Sequence, residues 1–444
     1  MLRHPGGTLP EKLPKAELLG FYDLANNPKV THANLLAPHR QRTLGLMAAC
    51  RGVVLVIHDT TEADYSGLDV PGLGPIGHGG CHGLLLHNVL AVDYARREVL
   101  GLAGQLLHRR RVVPKGEGLA AKREHPQRES RLWVKGVEAV GQVPAAAAGG
   151  GGGGGAMWVN LMDRGGGDGF ESLARQRSLG QRCVVRSKSN RNVRAPDAAG
   201  RWRACKLYRY ARALLPTLGH RTVRVAANAH QVARDATVRI AAAGPVRVPR
   251  PAQRRGEWPA DAPALEMWVV HVLEEHPPAG QAPLEWILLT DVPACSFAAA
   301  CERVDWYACR PVVEEFHKAL KTGCGMEQLQ FTTRPALEAT IAMLSVVAVQ
   351  LLRLRDLSRG PDADARRADA VVDAQYVEVL GLWRHKEARP AMSVKEFLYA
   401  LARLGGHLGR PSDRPPGWLV LWRGWTKLQP LVEGAALMRR KRSG

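Results

Sequence analysis

Between residues 53 and 162 the chain carries four short apolar runs and one amphipathic stretch, and their order constrains the fold more than any other feature. "VVLVIHDTT" from Val53, "GLLLHNVLAVD" from Gly83 and "REVLGLAGQLLH" from Arg97 are aliphatic and bounded by turn signals. Such runs predict buried strands, and the short link at residues 94–96 makes the second and third neighbours, so that the three form a meander. "ESRLWVKGVEAV" from Glu129 has helical spacing, and "AMWVNLMD" from Ala156 reads as a strand again. The order strand, strand, strand, helix, strand predicts an α/β core whose near-continuous apolar strands need cover on both faces.

Two of these strands are expected to end on an acid, Asp59 after His58 and Asp163 after Met162. Taken singly, each is what an Asp capping a turn looks like. Taken together, adjacent strands can set both carboxylates side by side at one sheet edge. Oxygen ligands of this kind suit Mg²⁺ or Mn²⁺. Thr60 and Thr61 follow the first acid, and "RGGGDGFESL" follows the second, with glycines that permit close backbone approach.

A third acid lies in "VDWYACRPVVEEFHKALKTG" from Val304, read as one helix. Tyr307, Arg310, Glu314 and Lys321 are spaced 3, 4 and 7 apart, and Lys318 falls four after Glu314, so all lie along one helical stripe. A solvated Glu314–Lys318 pair is the plain explanation of part of this stripe, but it leaves Tyr307 and Arg310 without a purpose.

Charge supplies a partner class. Lys and Arg outnumber Asp and Glu by 62 to 41 over 444 residues, a formal charge of +21. Residues 172–256 hold 20 Lys or Arg against Asp197 and Asp235 alone, which accounts for +18 of that total. A basic block of this size predicts binding to a polyanion's phosphates. The eight Cys show no C-x-x-C spacing, so reduced thiols are expected rather than disulfides or zinc. The first twenty residues lack an apolar secretory core, and "ATIAMLSVVAVQLL", ending at Leu352, reads as a buried helix, so no membrane segment and a cytoplasmic protein are expected.

The remaining chain is expected to begin with helices, the second capped by Thr31, and to carry a mobile Ala/Gly loop from Pro144 to Ala156. Alternating segments such as "RTVRVAA" and "ATVRIAA" predict strands through to "PLEWILLT", and helices follow Thr290.

The spacing Y-x2-R-x3-E-x6-K at Tyr307, Arg310, Glu314 and Lys321 resembles the signature of DDE insertion-sequence transposases of the IS-four, Tn-five-like family. "HDTTEADYSG" resembles the segment around that family's first catalytic Asp, "DRGGGDGFESL" the second, with one extra Gly, and "RGWTKLQPLVEG" its dimerisation region. The resemblance implies an RNase H-like catalytic core with a β-rich insertion, a helical N-terminal remnant and a helical C-terminal region. Its parts would be a truncated DNA-end-recognition segment at 1–50, the core at 51–194 and 286–360, the insertion at 195–285 and a dimerisation region at 361–444.

It implies Mg²⁺-dependent strand cleavage and strand transfer in cut-and-paste DNA transposition. Asp59, Asp163 and Glu314 would be catalytic and would hold two Mg²⁺ or Mn²⁺ ions. Arg186, Lys188, Trp286, Tyr307, Arg310, Lys318 and Lys321 would contact DNA, and the partners would be double-stranded transposon ends and target DNA, met as a homodimer in a synaptic complex near a bacterial nucleoid. The alternative, of a different class, is a catalytically impaired remnant or a non-catalytic, dimerising DNA-binding inhibitor of transposition.

Overall fold

The computed structural model describes residues 9, 13–77, 79–144, 155–225, 232–251, 262–360, 362–386, 391–410 and 413–443. Most of the Ala/Gly tract lies outside the described residues. Two helices come first, α1 (Lys15–Asn26) and α2 (His32–Ala49); the Thr31 hydroxyl accepts the Asn34 amide and caps α2 as its sequence predicts. Then follow β1 (Gly52–Asp64), the two-residue β2 (Gly74–Pro75), β3 (His82–Asp93), β4 (Glu98–His108), the short α3 (Leu119–Glu124), α4 (Arg131–Val140) and β5 (Ala156–Met162).

β1 differs from its expected form. It does not stop at Asp59 but runs on to Asp64, because β3 pairs with it antiparallel all the way from Val54↔Asp93 to Asp64↔Gly83. β5 pairs with it in parallel only as far as Ile57↔Leu161. Asp59 is thus mid-strand with respect to one neighbour and just past the end of pairing with the other.

After α5 (Phe170–Ser178), β6 (Arg182–Arg186) adds in parallel to β5. The stretch β4-β3-β1-β5-β6 is therefore three antiparallel strands followed by two parallel ones. The β-rich segment does not stand apart. β7 (Asn192–Pro196), β8 (Trp202–Lys206), β9 (Thr217–Val225), β10 (Arg234–Val248), β11 (Leu265–Glu274) and β12 (Glu285–Thr290) extend the same sheet, β12 pairing antiparallel beside β6, to give a mixed sheet of twelve strands.

Helices cover both faces of the core, which is why its strands read as nearly unbroken apolar runs. On one face Leu55 and Ile57 of β1 pack with Phe316, Leu337 and Leu344. On the other, Val54 and Val56 meet Met47 of α2 and Val140 of α4. The first of these helical layers holds α6 (Phe297–Tyr307), α7 (Pro311–Lys318), which runs into a wider π turn at Ala319–Gly323, and α8 (Arg334–Leu357). By length and apolarity α8 could cross a membrane, but two thirds of its most apolar window is buried in this core.

The stretch read as one helix is broken between α6 and α7. Pro311 has no N–H to give, and around it the amides of Cys309, Arg310, Val312 and Val313 turn to carbonyls three residues back. None of the eight cysteines is bonded to another.

At the C-terminus α9 (Ala374–His385), α10 (Val394–Leu404) and α11 (Trp418–Ser443) enclose an apolar cluster of their own around Leu380, Phe397 and Leu421. α10 opens on a capping box made by Ser393 and Glu396. α10 and α11 touch backbone to backbone where Gly424 faces Leu401: a Cβ added at Gly424 would lie 1.9 Å from the Leu401 carbonyl oxygen. Gly434, further along the same helix, has no atom within 4 Å of such a Cβ. Gly424→Ala should therefore force the helices apart and cost about 1–3 kcal/mol, whereas Gly434→Ala should stabilise by up to about 1 kcal/mol through helix propensity. Urea denaturation of the two variants checks this, and equal effects would refute the close crossing.

Candidate active site

The register that ends β1–β5 pairing at Ile57↔Leu161 leaves Asp59 and Asp163, each two residues on, level with one another just past the end of the parallel β1–β5 pairing. α7 lies across this edge and presents Glu314 from its first turn. The three acids that the sequence singles out do come together, and what joins them is Arg310. Its Nη2 lies 3.1 Å from Asp59 Oδ2 and 3.1 Å from Asp163 Oδ2, and its Nη1 donates to Glu314 Oε1 at 2.6 Å. Glu314 therefore pairs one turn back, with Arg310, and Lys318 stands exposed.

Each acid is held from its own side. Asp59 Oδ1 accepts the Thr60 amide at 3.0 Å, and Asp163 Oδ1 accepts the Gly165 amide at 2.7 Å. The Asp163 loop is packed so closely that only glycine fits. A Cβ at Gly165 would lie 2.3 Å from the Trp133 ring, and one at Gly167 would lie 2.4 Å from Met162. Beyond the glycines Asp168 is buried. Its Oδ2 accepts the Lys188 amide at 3.0 Å and pairs with Arg191 at 2.7 Å, fastening this loop to the turn between β6 and β7.

A polar layer underlies Asp59. His317, three residues after Glu314, has Nδ1 3.9 Å from Asp59 Oδ2, outside hydrogen-bond reach, and its Nε2 accepts from Asn88 Nδ2 at 3.0 Å. Asn88 Oδ1 in turn accepts from Gln105, which also bonds Ser345 of α8. Burial pushes the His317 imidazole down to about 3, with the positive charges of Lys321 and Arg310 adding to the effect, so it is neutral. An imidazole that accepts at Nε2 carries its proton on Nδ1, on the side facing Asp59.

The basic and aromatic residues singled out by sequence divide into two groups. Arg186, Tyr307 and Trp286 lie together: Arg186 donates to the Glu285 carbonyl at 2.8 Å beside Tyr307, and the rings of Trp286 and Tyr307 meet edge to face at 5.1 Å. Tyr307 is buried and Trp286 half-buried. Lys188 and Lys318 are exposed, while Lys321 is paired with Glu327 at 3.0 Å. His317 and Asn88 were not anticipated as part of the site. The readable signal was the amide residues Asn88 and Gln105 inside mainly apolar strand runs.

Among the described residues no three Asp, Glu, His or Cys side chains stand ready-made around a metal position. The three carboxylates surround a guanidinium instead. Their chemistry, anionic oxygens converging from two strand ends and a helix, is that of a hard divalent cation's ligands.

No protein-family model matches the chain. Among solved structures it resembles a piggyBac transposase synaptic complex with hairpin DNA, at TM-score 0.35 and 8% identity over 97% of this chain. The chain spans 66% of the length of that transposase, and the similarity is too low to define a shared fold.

Burial pushes the Asp59 carboxyl up to about 6, against the pull of Arg310 and with the negative charges of Asp163 and Glu314 adding to the rise. The folded protein thus holds this proton more tightly than the unfolded chain, whose ordinary value is 3.8. The stability this contributes is complete below about pH 4 and is lost as pH rises through about 6. Asp59→Asn is neutral at every pH. In metal-free buffer, the stability of wild type relative to this variant should fall between about pH 4 and 6 and then level off. A difference that ignores pH, measured by urea denaturation, would mean that Asp59 is not desolvated.

Proposed function

We propose that the chain is a DDE-type transposase of the IS-four insertion-sequence kind, cutting and joining DNA strands with Asp59, Asp163 and Glu314 as the catalytic acids. The observation that carries this reading is the convergence of those three carboxylates on one cationic group where the parallel pairing of β1 and β5 ends. The strand order β4-β3-β1-β5-β6, antiparallel then parallel, with α7 laid across the same edge, supports an RNase H-like core. The strands β7 to β11 supply the β-rich insertion, and the core resumes with β12.

The chemistry that two Mg²⁺ or Mn²⁺ ions supply when held there is Lewis-acid activation of the attacking oxygen and stabilisation of the departing 3′ oxygen of a phosphodiester. The chain's own residues provide the ligands and their rigidity. Asp59 is fixed by the β1–β3 pairing, Asp163 by the glycine loop against Trp133, and Glu314 rides on the first turn of α7. Lys318 and Lys188 project toward solvent, where they can meet phosphates, and the Arg186–Tyr307–Trp286 unit braces the adjacent strand ends. Double-stranded DNA is the proposed partner, and a homodimer engaged on two ends is the proposed working assembly.

Glu314→Gln keeps size and helix propensity but removes one anionic ligand. Nicking of plasmid or element-end DNA in Mg²⁺ should fall at least about a hundredfold, no less than when a ligand's supporting partner is lost, while binding of the same DNA persists. Undiminished nicking would remove Glu314 from the catalytic set. A wild-type chain that binds but never nicks would instead favour a non-catalytic, inhibitory role.

DNA affinity should depend on salt less steeply than composition implies. Of the 20 basic residues in 172–256, at least eleven are ion-paired among the described residues. Arg177, Lys188, Arg194, Lys206 and Arg209 are exposed, with no ion pair among the described residues. Each such residue that meets a phosphate adds about 0.9 to the slope of log affinity against log salt. Lys206→Ala and Arg209→Ala should each lower that slope by about 1 and weaken binding to all sequences alike. An unchanged slope would exclude this edge of the sheet from the DNA path.

A further inference from the structure

The three carboxylates of the site already hold a cation that belongs to the chain. Both Asp59 and Asp163 reach the same nitrogen of Arg310, and Glu314 reaches the other terminal nitrogen. The Arg310 side chain is 14% exposed, so solvent screens little of the attraction, or of the repulsion the acids would feel without it. A divalent ion bound by the same oxygens would stand within a few ångströms of this fixed positive charge. The two cannot share the site.

Other features mark the position as one the side chain can leave. Arg310 Nε is buried with no hydrogen-bond partner, so its donors are not all satisfied there. The residue sits in the turn between α6 and α7 that Pro311 creates, rather than within a helix. Glu314, its shortest contact, is 54% exposed and lies on the solvent side of the cluster. The route outward therefore passes along the edge where phosphate would lie.

We infer that Arg310 is a displaceable internal counter-ion: it draws the three acids together in the metal-free protein, yields their oxygens when divalent ions enter, and is thereby released to the phosphates of the substrate. This rests on the reading of Asp59, Asp163 and Glu314 as cation ligands. It makes metal affinity a competition between the ion and one side chain, and makes Arg310 a positioning residue before it is a DNA contact.

The test is Mn²⁺ binding to the full chain without DNA, followed by electron paramagnetic resonance, for wild type, Arg310→Met, Arg310→Lys and Asp59→Asn, with melting temperatures taken in chelator and in Mn²⁺. Arg310→Met should bind Mn²⁺ about 5-fold to 150-fold more tightly than wild type, the usual span of coupling between two competing ligands. Its melting temperature should drop in chelator and recover in Mn²⁺ by more than the wild type's rises. Arg310→Lys, with a charge that cannot bridge three acids, should fall between. In the wild type, Mn²⁺ should raise phenylglyoxal modification of Arg310, read by mass spectrometry, and this decides the matter if the Met variant does not fold. Equal or weaker binding by Arg310→Met, with binding still lost in Asp59→Asn, would overturn the displacement while leaving the metal site intact. Binding that survives undiminished in Asp59→Asn would overturn the metal site, and this inference with it.

Discussion

The arrangement of the site depends on one strand having two partners of unequal length. β1 is hydrogen-bonded to β3 along its whole course, but to β5 only up to Ile57. Past that point the backbone of β1 stays fixed by β3 while β5 no longer pairs beside it, so the Asp59 side chain is held rigidly where Arg310 reaches it. Asp163 reaches the same level because the parallel register permits no other offset. Helix α7, the Asp163 loop and the buried polar layer are all fitted around the gap this creates.

Gathering charge at such a gap has an electrostatic cost, and the structure offsets it with partners from distant parts of the chain. Arg310 lies among the three carboxylates. Beneath Asp59 the His317–Asn88–Gln105–Ser345 chain fills what would otherwise be unsatisfied buried polar positions on β3, β4 and α8. On the opposite face of β1, His58 contacts His87 and the Asn160 amide oxygen, and Asn160 donates to Gln181. These polar residues interrupt apolar strand runs because each has a partner across the sheet. Burial keeps His58, His87 and His317 neutral, so the layers add no charge of their own beside the acids.

Composition overstated the positive surface. The basic block at 172–256 reads as a continuous phosphate-binding face, yet much of its charge is spent within the fold. Arg234 pairs with Glu274, Arg239 with Glu275, and Arg212 forms a two-pronged bond to Glu285 that holds the turn before β9 to β12. Arg221 reaches across to Asp305 of α6. Three of the exposed cations without an ion pair among the described residues, Arg194, Lys206 and Arg209, lie on β7, β8 and the following turn, at the far end of the sheet from β4.

The strands and helices themselves were determined by the sequence, because apolar periodicity and turn chemistry act over a few residues. β3, β4, β5, α4 and the Thr31 cap all fall where those local patterns put them. The break before α7 was also written locally, in Pro311, but apolar spacing carries on through it and conceals the change of direction. Only the tertiary structure decided that β12 lies beside β6, that β1 outruns β5 at Ile57, and that Glu314 pairs with Arg310 rather than with Lys318. Each of these follows from surfaces meeting across more than a hundred residues of chain, or from the pull of two aspartates on a guanidinium remote from them in sequence. Pairing energies of that kind exist only once the sheet has closed, and no local pattern encodes them.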